Sequence, residues 1–135
     1  MISFSKNKSF ESLYDELIAD INADLQRALV EMVSLMVEQS PVDTGRFISN
    51  WYALIDKEGS ETDSSKTTGG SLALSEMVKV IEQYSISENE FIYIYNNVYS
   101  DKNSQFYAAT VAWDPTRKTA QDILDAGENR FAGMI

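Results

Sequence analysis

Apolar residues recur at steps of three and four along the first part of the chain: Leu13, Leu17, Ile21, Leu25, Leu29, Met32 and Met36. That period predicts an amphipathic helix over residues 11–38, about 40 Å long at 1.5 Å per residue. Ser9 or Ser12 is placed to cap its start, with Glu11, Asp15 and Glu16 at the positive end of the helix dipole. Ser40-Pro41 marks its end, because a residue before proline avoids the helical region. Toward that end the stripe widens through Val30, Val33, Leu35 and Val37, which predicts cover on several sides. A helix of this length exceeds what one small domain needs. Either it spans its own domain or a neighbouring subunit covers part of it.

After the proline, Asp43, Thr44 and Gly45 are turn and cap residues, and Phe47, Ile48 and Trp51 fit one or two helical turns. Tyr52 to Ile55 reads as a strand. Residues 57–71 carry Gly59, Gly69, Gly70 and a run of Ser, Thr, Asp and Glu, and are expected to form a mobile loop. A helix follows over 72–84, with Leu74, Met77, Val78, Ile81 and Tyr84 on one face. Phe91 to Tyr95 is the clearest strand, β-branched or aromatic throughout. Being apolar on both faces, it is expected either at the centre of a sheet or between the first helix and a partner. Residues 96–104 read as a polar turn, and Phe106 to Trp113 fits strand or helix. Asp114-Pro115-Thr116 opens a last helix over 115–126, with Gly127 expected to stop it.

The fold class predicted is α+β: a long N-terminal helix packed on a small, mainly antiparallel sheet, with one or two further helices. The 135 residues suffice for one core, and residues 1–135 are read as a single domain with an N-terminal arm at 1–8. No apolar run approaches the ~20 residues of a membrane span, and the first residues do not read as a signal peptide. A cytosolic site of assembly is therefore expected.

Composition narrows the chemistry. There is no cysteine and no histidine, so disulfides, Cys/His zinc sites, thiol nucleophiles and imidazole acid–base catalysis are excluded together. No cofactor or metal is predicted. Acidic residues number 21 against 11 basic, a net charge of −10, which argues against a general phosphate-binding surface. The first helix alone carries Glu11, Asp15, Glu16, Asp20, Asp24, Glu31 and Glu38 against Arg27. Such a face is ordinarily a solvated one, and here it would also repel DNA or attract a basic partner.

Three local patterns bear on chemistry. Asp43-Thr44-Gly45 is the tripeptide of aspartic proteases, but those enzymes need a second carboxylate sharing one proton. Arg46 beside Asp43 would lower its pKa and oppose that sharing. A mechanical role is favoured, in which Asp43 or Thr44 caps the following turn, Gly45 permits a tight bend and Trp51 anchors it. Asp101 to Gln105 opens like a calcium loop but has Phe106 and Ala112 where glycine and glutamate are required. Gly69-Gly70 lacks the Lys-Ser/Thr of a phosphate loop.

The run Ser40-Pro41-Val42-Asp43-Thr44-Gly45-Arg46-Phe47-Ile48-Ser49-Asn50-Trp51, followed later by Phe91-Ile92-Tyr93-Ile94-Tyr95-Asn96-Asn97, resembles the signature of a tailed-bacteriophage family. That family comprises neck and tail-completion proteins, including minor tail protein Z-like members. The resemblance covers roughly residues 10–100, with helix, motif, spacer and strand in the same order; beyond Asn97 the chain departs from the pattern. It implies a structural virion protein at the head–tail interface and no enzymatic activity. The implied partners are copies of itself in a ring of six, with twelve as the alternative, and portal or adaptor, stopper, tail-terminator or tail-tube proteins. DNA would pass through the lumen without specific binding, and no membrane is involved. Pro41, Asp43, Thr44, Gly45, Arg46 and Trp51 would organise the bend between helix and sheet, with Arg46 pairing with an acid across a subunit boundary. The competing expectation is a small acidic protein that mimics DNA or inhibits a basic enzyme.

Overall fold

A computed structural model describes residues 9–40, 42, 45–60, 62–63, 65–98 and 120–135. Along the chain it gives α1 (Phe10–Gln39), a single turn α2 (Arg46–Ser49), β1 (Tyr52–Ile55), α3 (Gly70–Gln83), β2 (Ile92–Tyr95) and α4 (Ala120–Met134). The fold is α+β, with a long N-terminal helix and a two-stranded antiparallel sheet. In the ladder Tyr52 faces Tyr95, Ala53 faces Ile94, Leu54 faces Tyr93 and Ile55 faces Ile92.

α1 begins where the Ser9 hydroxyl accepts the Ser12 backbone N–H at 3.1 Å, so Ser9 rather than Ser12 is the cap. Its 30 residues span about 45 Å. Only the second half is sunk in the core: Ala28, Leu29, Met32, Val33 and Met36 are buried. In the first half Phe10 is 86% exposed, Tyr14 58% and Ile21 41%. Leu13, Leu17 and Ile18 between them are half-buried, Tyr14 and Ile18 facing Ser85 and Ser87 across a shallow groove, so the stripe is left open chiefly at its start.

The core joins that buried stripe to Phe47, Trp51, Ala53, Ala73, Met77, Ile81, Val98 and Ile123. α4 runs antiparallel to α1: Gly127 lies against Met32 and Met36, and Met134 and Ile135 meet Ile21 and Leu25. α3 packs on α1, α2 and β1. At its end α1 supplies amides that satisfy groups a helix terminus leaves open. Gln26 Nε2 donates to the Tyr84 carbonyl at 2.8 Å and the Glu82 carbonyl at 3.3 Å, and Asn22 Oδ1 accepts the Ile86 N–H at 2.8 Å.

Three expectations change. The last helix does not stop at Gly127 but runs through it to Met134. A Cβ there would lie 2.8 Å from Met36 Cγ and 3.1 Å from Met32 Cγ, so the glycine lets α4 approach α1 closely. Of the two placements expected for β2, the centre of a sheet is not seen: among the described residues it pairs only with β1, Phe91 is 40% exposed and within the strand only Tyr95 is buried. α3 starts at Gly70, inside the segment read as loop. The expectations for residues 1–8, 99–113 and 114–119 lie outside the described residues.

Candidate functional site

The bend after α1 begins at Ser40, which is buried and extended at φ −69°, ψ 129°. Its hydroxyl donates to the Met36 carbonyl at 2.7 Å, using one of the acceptors left open at the helix end. The same oxygen accepts the Trp51 indole N–H at 2.9 Å. Trp51 has no exposed surface and meets Phe47 edge-on, ring centroids 5.5 Å apart. One hydroxyl therefore links the last turn of α1 to the residue that opens the sheet.

Of the motif residues, Pro41, Asp43 and Thr44 lie outside the described residues. Gly45 occupies the cap position of α2 at φ +87°, and the cap expected from Asp43 or Thr44 lies outside the described residues. A left-handed φ is where glycine costs least. Arg46 starts α2 and is half-buried; its carbonyl accepts from Asn50. The structure thus brings Gly45, Arg46 and Trp51 into one short turn on the core.

Four residues outside the predicted set hold this turn. Asn50, fully buried, donates through Nδ2 to the carbonyls of Arg46 (2.6 Å) and Asp63 (3.0 Å). Its Oδ1 accepts the Asp63 N–H at 2.9 Å and the Tyr52 hydroxyl at 3.2 Å. Ser49 Oγ accepts the Gly69 N–H at 2.8 Å, ahead of α3. Asn96, just past β2, donates to the Phe47 carbonyl at 2.8 Å and accepts the Val98 N–H at 3.1 Å. With Ser40, these are buried polar groups with partners, as low-dielectric interiors require. The available signal was a polar Ser-Asn pair inside the apolar run from Phe47 to Leu54, and an Asn closing an aromatic strand.

Two carboxylates brace the sheet and the following segment. Asp56, in left-handed backbone at φ +57°, accepts the Phe91 N–H at 3.0 Å, the Asn89 amide at 2.9 Å and the Glu90 N–H at 2.7 Å. The Phe91 N–H first, then the Asn89 amide, hold its pKa below the ordinary 3.8. Asp63 is lowered likewise, chiefly by the Ser65 hydroxyl and N–H and less by Lys66. Lys66 itself reaches Glu76 at 3.5 Å and sits 4.9 Å from the Tyr52 ring centroid.

Among the described residues no group of three acidic residues is arranged to hold a metal, and no helix is long and apolar enough to cross a membrane. Hydrogen bonds from α1, α2, Asp63, Gly69 and the end of β2 hold the turn between α1 and β1. No family model, curated protein or solved structure matches the chain.

Proposed function

We propose that this protein is a structural, non-enzymatic component of a tailed-bacteriophage neck, joining the portal assembly to the tail as a closed ring of six copies. The observation that carries the reading is the exposed start of α1, where Phe10 is 86% and Tyr14 58% exposed at the end of the apolar stripe. Apolar surface of that kind on a protein of net charge −10 favours contact with another protein over contact with nucleic acid. A ring needs heterologous contacts that close by rotation, and an apolar helix start open to solvent supplies one half of such a contact. The locked bend supports the same reading, because a ring built on that helix needs its angle to the sheet held constant. An acidic lumen would let DNA slide past, with few cations to hold its phosphates.

The test is a cryo-electron microscopy map, with mass spectrometry, of purified virions of the phage that encodes the chain. Density for the chain in a ring between capsid and tail is expected. Virions lacking the polypeptide would overturn the reading in favour of the acidic inhibitor, which would instead be recovered bound to a basic partner.

A further inference from the structure

In the two-stranded sheet the Asp56 N–H donates to the Phe91 carbonyl at 3.0 Å, which fixes the phase of the ladder. Leu54 with Tyr93 and Tyr52 with Tyr95 are then the hydrogen-bonded pairs, and Ile92 and Ile94 turn their N–H and C=O groups away from β1. Among the described residues nothing pairs with that outer edge of β2. The edge opens on a groove of about 540 Å3 between β2, α1 and α4, floored by Leu25, Leu29, Leu124 and Phe131. Ile92, Tyr93 and Ile94 all line it; side chains alternate between the faces of a strand, so three in a row mark its edge. Proteins ordinarily blunt an open edge with lysine, proline or a bulge. Ile92–Tyr95 carries none of these.

We infer that this edge takes an extended, basic segment of another protein as a third strand, laid along the groove. Open N–H and C=O groups select an extended backbone. Alternate side chains of the added strand reach Leu25, Leu29 and Phe131, while the others face solvent. Charge selects the partner. Glu128 is the single charged residue of the groove, and no lysine or arginine lines it. The arginines of α1 and α4 are engaged elsewhere, Arg27 with Asp24 at 3.1 Å and Arg130 with Glu31 at 3.5 Å. A lysine or arginine on the incoming strand gives Glu128 a counter-ion, and the net charge of −10 draws such a segment in. A second copy, equally acidic, is disfavoured by the same charge, and so is nucleic acid. Residues 106–113 of the chain itself are mostly apolar but hold no cation. The edge and its groove belong to the fold, so this partner is expected whether or not the chain is a neck protein.

The probe is an end-blocked peptide of about nine residues, lysine alternating with valine, titrated into the isotope-labelled full-length protein and followed by heteronuclear NMR. Saturable shifts at the Ile92 and Ile94 amides are expected, with hydrogen exchange there slowed about tenfold by the new bonds. Methylating every second peptide nitrogen, on the valines in one version and on the lysines in another, keeps the charge. One of the two should bind about tenfold more weakly than the parent, because it loses the donors that face β2. Glu128→Lys, at an exposed position, should keep native circular dichroism and weaken the parent peptide about fivefold. Equal binding by all three peptides, or shifts confined to the exposed acids of α1, would show attraction by charge alone and overturn the inference. No shift at either isoleucine amide would do the same, and an affinity unchanged in E128K would overturn the basic partner. Ile92 and Ile94 amides already slow to exchange in the free protein would also overturn it. The edge would then be taken by residues 106–113 or, where dilution frees it, by a second copy.

Discussion

The indole nitrogen of Trp51 and the hydroxyl of Ser40 lie 2.9 Å apart, a hydrogen bond across eleven residues that closes the bend between α1 and β1. Because the hydroxyl also donates to the Met36 carbonyl, it is committed on both sides. Ser40→Ala should cost about 1–3 kcal/mol, since it leaves the buried indole N–H without an acceptor. Trp51→Phe should cost a comparable amount through lost packing and the lost donor. In the double variant the second change costs less, and a coupling of about 1 kcal/mol in a urea-unfolding double-mutant cycle is the expected result. Simple additivity would mean the bond contributes nothing.

Asn50 fills both its donor and its acceptor capacity within the bend. Asn50→Ala should therefore destabilise by about 2 kcal/mol. Asn50→Asp should cost more, because a carboxylate oxygen would then face the Arg46 and Asp63 carbonyls in place of the amide donor. Chemical denaturation of the two variants gives the order directly.

Gly127 separates two effects of a side chain. Gly127→Ala gains about 1 kcal/mol of helix propensity but brings a Cβ to 2.8 Å from Met36 Cγ, so the net change should be small. Gly127→Leu keeps the propensity gain and adds bulk against Met32 and Met36, and should lose about 1–3 kcal/mol. Thermal unfolding of both variants checks the sign of each.

Asp56 and Asp63 both titrate below 3.8 in the fold. A carboxylate with a lowered folded pKa contributes stability above its unfolded value, and that contribution disappears as pH falls through the folded one. The melting temperature should therefore drop as the solution is acidified from about pH 4 downward. In the Asp56→Asn/Asp63→Asn double variant this part of the curve should be flatter than in the parent.

Local pattern revealed most of the elements. α1 was legible because a three-four period, a serine before it and a proline after it all agree, and β2 because β-branched and aromatic residues cluster there. Where the reading missed, long-range packing had overridden local preference. Gly127 looks like a helix stop by propensity, yet it sits mid-helix, where the lack of a side chain lets α4 pack closely on Met32 and Met36 of α1. Gly70 looks like loop, yet it opens α3 where a Cβ would come within 2.8 Å of both Ile48 and Val37 side-chain atoms. The polar residues of the bend were visible only as part of a motif. Their partners, such as Asp63 for Asn50 and Phe47 for Asn96, are 13 and 49 positions away, a pairing no local window contains.

The amides of Asn22 and Gln26, anchored to the chain at Tyr84 and Ile86, set the axial register of α1. Sliding the helix by one turn, about 5.4 Å, would break these bonds. The exposed first turn of α1 consequently stands at one fixed distance from the core.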